Sequence, residues 1–165
     1  MSRSKDIGTR AETAVARWLQ ANGWPHAERR QLRGRDDAGD ITGTPGVCWE
    51  VKAGDAAIRA SDGQVAVWLE ETDRERTNAR ADVGVLVLRR RGKASPGAWW
   101  AVLPVASIVG LTATGLIHHS VAVSMPARML LVDFVGILRT SGYGDPLVPV
   151  AGMEREAVPA TGVLQ

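Results

Sequence analysis

Three ionisable side chains lie within residues 39–54, a stretch that is otherwise apolar or turn-forming. Asp40 precedes a Thr-Pro-Gly turn, and Glu50 and Lys52 follow this turn, directly after a short apolar run. Burying a charged group without a partner costs several kcal/mol. We therefore expect these side chains to pair with one another, to bind a metal ion, or to do both.

The alternation of side chains along a strand decides which of these groups can meet. In a strand over residues 47–53, Glu50 and Lys52 share one face, and the larger apolar side chains share the other. If residues 44–46 form a three-residue loop, Asp40 lies directly opposite Glu50. A two-residue type II turn would instead shift the register by one residue and turn Asp40 to the other face. We favour the three-residue loop, since a type II turn twists wrongly for a hairpin.

Two opposed carboxylates suggest a metal site. Directly opposed residues have Cβ atoms about 4.5–5.5 Å apart, which is close enough for Asp40 and Glu50 to bind one cation. A hard divalent cation, Mg²⁺ or Mn²⁺, takes oxygen ligands, keeps several waters and binds substrate phosphate. Lys52 could then stabilise charge on the phosphate, or position and activate the attacking water. The alternative is a plain surface ion pair of Glu50 with Lys52, with Asp40 capping a turn.

Hydrophobic periodicity predicts the elements that would position these groups. A helix over about residues 4–22 would place Glu12 beside its apolar stripe, at the edge of the sheet and within reach of the metal or its waters. The alternative for Glu12 is a surface position near a helix N-terminus, which favours negative charge. The other predicted elements are an extended segment from Trp24 to Leu32, strands at about 39–43, 47–53, 83–88 and 98–103, a helix from Ser61 or Asp62 to about Arg80, a short helix from Pro104 to about Leu111, and a strand or helix from Met129 to Leu138. This order predicts an α/β protein, with a mixed sheet and helices packed on it.

The sequence resembles the PD-(D/E)xK nuclease superfamily in the order and type of its charged residues. A helical Glu12 is followed by Gly39-Asp40 and then by Glu50-Val51-Lys52, a helix and a β-branched strand. Over about residues 5–103 the chain looks most similar to the archaeal-type and phage Holliday junction resolvases. It departs from the superfamily in having Gly39 where proline is usual, and it lacks the serine that some resolvases carry before the aspartate.

This resemblance implies a restriction-endonuclease-like fold, a mixed central β-sheet flanked by helices, with a metal-dependent active site. The catalytic residues would be Glu12, Asp40, Glu50 and Lys52. Asp40, Glu50 and the Val51 carbonyl would bind Mg²⁺, for which Mn²⁺ could substitute. Glu12 would bind a second metal or an outer water.

The activity implied by the resemblance is hydrolysis of DNA phosphodiesters. The chain would be a Holliday junction resolvase of DNA recombination and repair, which cuts four-way junctions by symmetric nicks. Two symmetric cuts imply a homodimer with twofold symmetry. The alternatives are a less specific nuclease of restriction, repair or packaging, and a catalytically idle DNA-binding module.

Basic residues that precede Asp40 are candidates for contacts with DNA. Arg30, Arg33 and Arg35 lie in the segment that leads to this aspartate, and they would contact phosphates. A separate arginine run at residues 89–91 suits either phosphate binding or a solvated turn.

Gln64 is a further candidate for nucleic-acid binding. Some relatives carry a Gln-x-x-x-Tyr pattern on the helix after the lysine, and Gln64 with Trp68 is similar, with tryptophan in place of tyrosine. The alternative is structural, because Ser61 and Gln64 have the spacing of a helix capping box.

Length and composition bound these hypotheses. The chain has 165 residues, a net charge of +2 and one cysteine, Cys48, which predicts a reducing compartment and no internal disulfide. We expect one nuclease domain over residues 1–146 and a flexible tail over 147–165. No signal peptide or membrane span is visible, so we expect a cytoplasmic protein of a bacterium or a phage-infected cell. The pair His118-His119 lacks a third ligand at suitable spacing.

Overall fold

The computed structural model describes residues 3–31, 37–112 and 125–147 of the chain. Its helices are α1 (Arg3–Gln20), α2 (Gly54–Ile58), α3 (Asp62–Asn78), α4 (Val105–Thr112) and α5 (Leu131–Thr140). Its strands are β1 (Glu28–Arg29), β2 (Ile41–Thr42), β3 (Val47–Lys52), β4 (Val83–Leu88), β5 (Trp100–Pro104) and β6 (Pro126–Leu130).

The strands form a two-stranded sheet, β1-β2, and a four-stranded mixed sheet in the order β3-β4-β5-β6. β3 and β4 are parallel, and the chain crosses between them through α2 and α3. The other neighbours in the larger sheet are antiparallel. Lys52 pairs with Leu88, and Leu88 pairs with Trp100. These three side chains therefore form a row across one face of the sheet.

Helices cover both faces of the larger sheet. On one face, the apolar sides of α1 and α5 pack against β3, β4 and β5 in the main core, which includes the fully buried Trp49. On the other face, α3 packs Val65 against Leu86, Leu88 and Val102. Glu50 and Lys52 lie on this second face, so α3 covers the charged side of β3 rather than leaving it to solvent.

Several elements confirm the expectations from periodicity and capping. α1 and β4 lie within one or two residues of their predicted bounds, and α3 begins after Ser61, whose side chain accepts a hydrogen bond from the Gln64 main-chain N–H. α2 was not predicted. The segment from Met129 to Leu138 contains both alternatives, since β6 ends and α5 begins within it.

The predicted hairpin between residues 39–43 and 47–53 is wrong. β2 pairs with β1 instead, with Thr42 opposite Glu28. Gly43 permits this pairing, because it lies so close to the main chain of His26 that any side chain at position 43 would overlap it. Gly46 has a φ of +78°, as the three-residue loop requires, but the loop does not lead into a ladder between β2 and β3.

Some expectations fall on parts of the chain outside the described residues. These are the tail after Leu147, the His118-His119 pair, and the loop residues Arg33 and Arg35. Within the described ranges, none of the helices combines the length and the apolar character that crossing a bilayer requires.

Candidate active site

Asp40 is fixed at the edge of β3 by both its main chain and its side chain. Its main-chain N–H donates to the Trp49 carbonyl at 2.8 Å, and its Oδ2 accepts a hydrogen bond from the Val51 N–H at 2.8 Å. Its carbonyl accepts from the Arg30 N–H at 2.7 Å. Asp40 therefore links β3 to the residue that follows β1, although β2 and β3 form no ladder.

Gly39 allows this approach. Its φ is +84°, a left-handed conformation that proline cannot adopt because its ring holds φ near −65°. A Cβ at this position would also lie 2.7 Å from Cys48 Sγ and 2.9 Å from the Trp49 carbonyl. Glycine at position 39 is thus required by the local geometry of this chain.

The Asp40 carboxyl is half-buried and lies among other acids. Burial raises its pKa to about 8, and the negative charges of Glu50 and Glu12 add to this rise. The hydrogen bond from Val51 lowers the pKa but does not offset these effects. The structure therefore brings Asp40 and Glu50 close together, as predicted, but they are not directly opposed residues of a hairpin.

Glu50 and Lys52 form a short ion pair on the face of β3 that α3 covers. Lys52 Nζ lies 2.6 Å from Glu50 Oε1 and 3.2 Å from Glu71 Oε2. It also lies 5.8 Å from the centre of the Trp68 ring. Burial lowers the pKa of Lys52, but the hydrogen bonds and charges of Glu50 and Glu71 outweigh it, so the pKa is raised. The lysine is held as an ammonium ion.

Glu75 is a site residue that the sequence analysis missed. It is 7% exposed, and its Oε2 has no hydrogen-bond partner. Burial raises the pKa of Glu75 to about 9, with further contributions from the charge and hydrogen bond of Glu50. Helical spacing was the signal that could have found it: Trp68, Glu71 and Glu75 are three and four residues apart and share one face of α3.

Glu12 lies on α1, where its Oε2 is 3.4 Å from Arg29 Nη1. Its carboxylate is only partly exposed, and its charge contributes to the raised pKa of Asp40. Glu12 is therefore close enough to influence the site, but Arg29 already supplies it with a counter-charge.

A cleft of about 570 Å³ opens between β3 and α3. Side chains that line it include Asp37, Glu50, Lys52, Glu71, Glu75 and Asn78. Acids predominate in this lining, so a polyanion could enter only with a cation to reduce repulsion.

The candidate DNA-binding residues lie away from this cleft where the structure describes them. Arg30 lines a different cavity of about 220 Å³, and its Nε is buried without a hydrogen-bond partner. Gln64 is exposed on the first turn of α3, where its main chain donates to Ser61 Oγ at 3.2 Å. This hydrogen bond agrees with the capping alternative, and Gln64 lies four residues before Trp68 on the helix.

The donor atoms suit a hard cation bound through few protein ligands. Among the described residues, no group of three or more His, Cys, Asp or Glu side chains could hold a metal ion. The Val51 N–H points to Asp40, and the carbonyl of a strand residue points to the same side as its N–H. Asp40, Glu50 and the Val51 carbonyl thus present oxygen atoms at one edge, and Mg²⁺ commonly uses one or two carboxylates together with waters and substrate phosphate.

Comparison with known proteins does not assign the chain to a family: no family model, no curated protein and no solved structure matches it. The fold and site define an α/β protein with helices on both faces of a mixed sheet and a cluster of partly buried acids around one lysine.

Proposed function

We propose that the chain is a metal-dependent DNA endonuclease of the PD-(D/E)xK type, with a restriction-endonuclease-like fold. One observation carries the proposal: Asp40, Glu50 and Lys52 gather at the edge of β3, where Val51 donates to Asp40 at 2.8 Å and Lys52 lies 2.6 Å from Glu50. A purely structural ion pair would not require Asp40, a second and half-buried acid, beside it, because adjacent ionised acids are unfavourable without a cation.

Asp40, Glu50 and the Val51 carbonyl would hold the cation, Mg²⁺ or Mn²⁺. When bound, the ion supplies Lewis-acid stabilisation of charge on the phosphodiester. The hydrogen bond from Val51 orients the Asp40 carboxylate, and the ion pair with Lys52 orients Glu50. Glu12 would act from the outer side of the site, through its charge or through a water.

Lys52 would bind a phosphate oxygen and orient the attacking water. Its ammonium is held between Glu50 and Glu71 and lies near the Trp68 ring, so its position is fixed before substrate arrives. A preorganised positive charge of this kind stabilises the charge that develops on phosphate during attack. Two carboxylate partners also keep the lysine protonated, which excludes a role as general base.

Within this activity, we propose Holliday junction resolution as the specific reaction. The support is the order of Glu12, Asp40, Glu50 and Lys52 along the chain, which resembles that of the resolvases. Two symmetric nicks would require a homodimer. A less specific nuclease would use the same chemistry without the junction preference.

A catalytically idle DNA-binding module is the second candidate. The observation that favours it is that Lys52 is already paired with Glu50 at 2.6 Å and with Glu71 at 3.2 Å, so its charge is largely neutralised before any phosphate approaches. Such a module would bind DNA in a salt-sensitive manner, with or without Mg²⁺, and would leave it intact.

The test is cleavage of a synthetic four-way junction beside a linear duplex built from the same arms. Wild type, Glu50→Gln and a matched control, Glu70→Gln, are assayed with Mg²⁺ and with EDTA; Glu70 is exposed on α3. Paired nicks in the junction alone, lost in Glu50→Gln and in EDTA but kept in the control, are expected. Equal cutting of both substrates would leave a nuclease without junction specificity. Binding without any cutting would favour the idle module.

A further inference from the structure

A second cleft, of about 240 Å³, opens at the end of β4 on the face of the sheet that α3 covers. We call it the arginine cleft, because its lining includes Arg89, Arg90, Arg91 and Arg128 together with Trp100. Among the described residues that line it, none is acidic. The arginine cleft is therefore opposite in charge to the acidic cleft beside Lys52.

Two of these guanidinium groups are held against one aromatic ring. The central carbon of the Arg90 guanidinium lies 4.0 Å from the centre of the Trp100 ring, and that of Arg128 lies 5.9 Å from it. Arg90 Nη1 also donates to the Ala98 carbonyl at 3.0 Å. Stacking and this hydrogen bond hold the Arg90 guanidinium in place, so this side chain loses little conformational freedom when it binds an anion.

The arginine cleft has a fixed distance from the candidate active site. Lys52, Leu88 and Trp100 are direct partners in neighbouring strands, and Trp100 is two strands away from Lys52. Neighbouring strands are about 4.8 Å apart, so the two backbone positions are separated by about 10 Å. Arg89 also donates its main-chain N–H to the Lys52 carbonyl at 3.0 Å.

We propose that the arginine cleft binds a backbone phosphate of the same nucleic-acid strand whose phosphodiester lies at Lys52. This inference rests on the proposed function, which supplies nucleic acid as the partner. Guanidinium groups bind phosphate through two parallel hydrogen bonds, and an anion between Arg90 and Arg128 would relieve their mutual repulsion. A separation of about 10 Å corresponds to a few nucleotides, since the rise per nucleotide is about 3.4 Å.

The test measures binding of a fluorescently labelled duplex and a labelled junction by anisotropy, in EDTA and over a series of salt concentrations. Arg91→Gln and Arg128→Gln are suitable variants because both side chains are exposed, and Arg17→Gln, at an exposed position of α1, is the matched control. Each cleft variant should reduce the slope of log Kd against log salt by about 1, because one phosphate contact is lost. The control should keep the wild-type slope.

A scan with single neutral methylphosphonate linkages locates the contact. At one position wild type should lose affinity, whereas Arg128→Gln should lose none; where wild type nicks the DNA in Mg²⁺, this position should lie within a few nucleotides of the nick. Wild-type slopes in both cleft variants, or the absence of such a position, would overturn the proposal. Equal displacement of DNA by polyglutamate of matched charge would also overturn it, by identifying a general polyanion surface. Because binding is measured without metal, a failure of Mg²⁺-dependent cleavage would refute the proposed function separately.

Discussion

Val51 donates its main-chain N–H to the carboxylate of Asp40 at 2.8 Å, so a side chain takes the place of a neighbouring strand at the edge of β3. The same Asp40 donates its own N–H to the Trp49 carbonyl. Its position is thus set by main-chain geometry on both sides.

The Asp40 side chain can be tested with two substitutions that separate chemistry from stability. Asp40→Asn keeps an oxygen that can accept from Val51, so its free energy of unfolding should stay within about 1 kcal/mol of wild type. Asp40→Ala leaves the Val51 N–H without this acceptor and should cost about 1–3 kcal/mol. Urea unfolding measures both values. Mg²⁺-dependent nicking should fall by at least about 100-fold in either variant; wild-type nicking by Asp40→Asn would rule out its assignment as a metal ligand.

Gly39 should be less tolerant of substitution than a glycine of similar conformation in open space. Gly39→Ala introduces both a strained φ and contacts of 2.7 Å with Cys48 Sγ and 2.9 Å with the Trp49 carbonyl. Gly92→Ala is the control, because its φ is +71° but nothing lies within 4 Å. We expect the control to lose about 1 kcal/mol and Gly39→Ala clearly more, in chemical denaturation. Equal losses would show that the close approach is absent.

Replacing the titratable Glu75 carboxyl with an amide should change how the free energy of unfolding depends on pH. Folding raises the pKa of Glu75 from 4.5 to about 9 and that of Asp40 from 3.8 to about 8. The folded chain therefore binds more protons than the unfolded chain in these windows, and the free energy of unfolding falls as pH rises through them. The slope for one such group has an upper limit of about 1.4 kcal/mol per pH unit.

Glu75→Gln should remove its share of this slope, and its melting temperature at pH 8 should exceed that of wild type in metal-free buffer. Glu70→Gln, an exposed change on the same helix, should follow the wild-type pH profile. Identical pH profiles for wild type and Glu75→Gln would mean that the Glu75 carboxyl is already ionised at neutral pH.

Glu50 and Glu71, the two carboxylate partners of Lys52, should contribute unequally to the free energy of unfolding. Lys52→Gln leaves Glu50, which is 7% exposed, without its nearest cation. Breaking a fully buried ion pair costs about 3–5 kcal/mol, and partial exposure of the lysine reduces this to about 1–3 kcal/mol. Glu71 has a side chain that is 35% exposed, so Glu71→Gln should cost less than about 1 kcal/mol and retain cleavage. Unfolding curves and nicking assays of both variants test this; because Lys52→Gln removes both ion pairs, an equal loss in Glu71→Gln would assign the main counter-charge to Glu71.

Local elements of the fold could be predicted because local sequence dictates them. The β-branched run at residues 83–88 specifies β4, and Ser61 specifies the start of α3. Strand pairing depends instead on contacts between distant residues. The close approach of Gly43 to His26, which accompanies the pairing of β2 with β1, has no signature in the residues around the turn.

The candidate site was predictable to a similar extent. The alternation in β3 correctly places Glu50 and Lys52 on one face, away from Trp49. The burial of Glu75 could not be predicted from α3 alone, because it results from the packing of that helix on β3. Gln64 resembles part of a known sequence motif, whereas Glu75, on the same helix, belongs to no such motif.

The row formed by Lys52, Leu88 and Trp100 has a consequence for how a bound strand would be cut. Two interstrand spacings set the separation between the main chains of Lys52 and Trp100, and Arg90 and Arg128 lie against the Trp100 ring. Changes in surface loops could alter how tightly DNA is held, but they would not alter the separation of these two strand positions. The sheet would thus serve as a molecular ruler, which fixes the offset between the anchored phosphate and the cleaved bond.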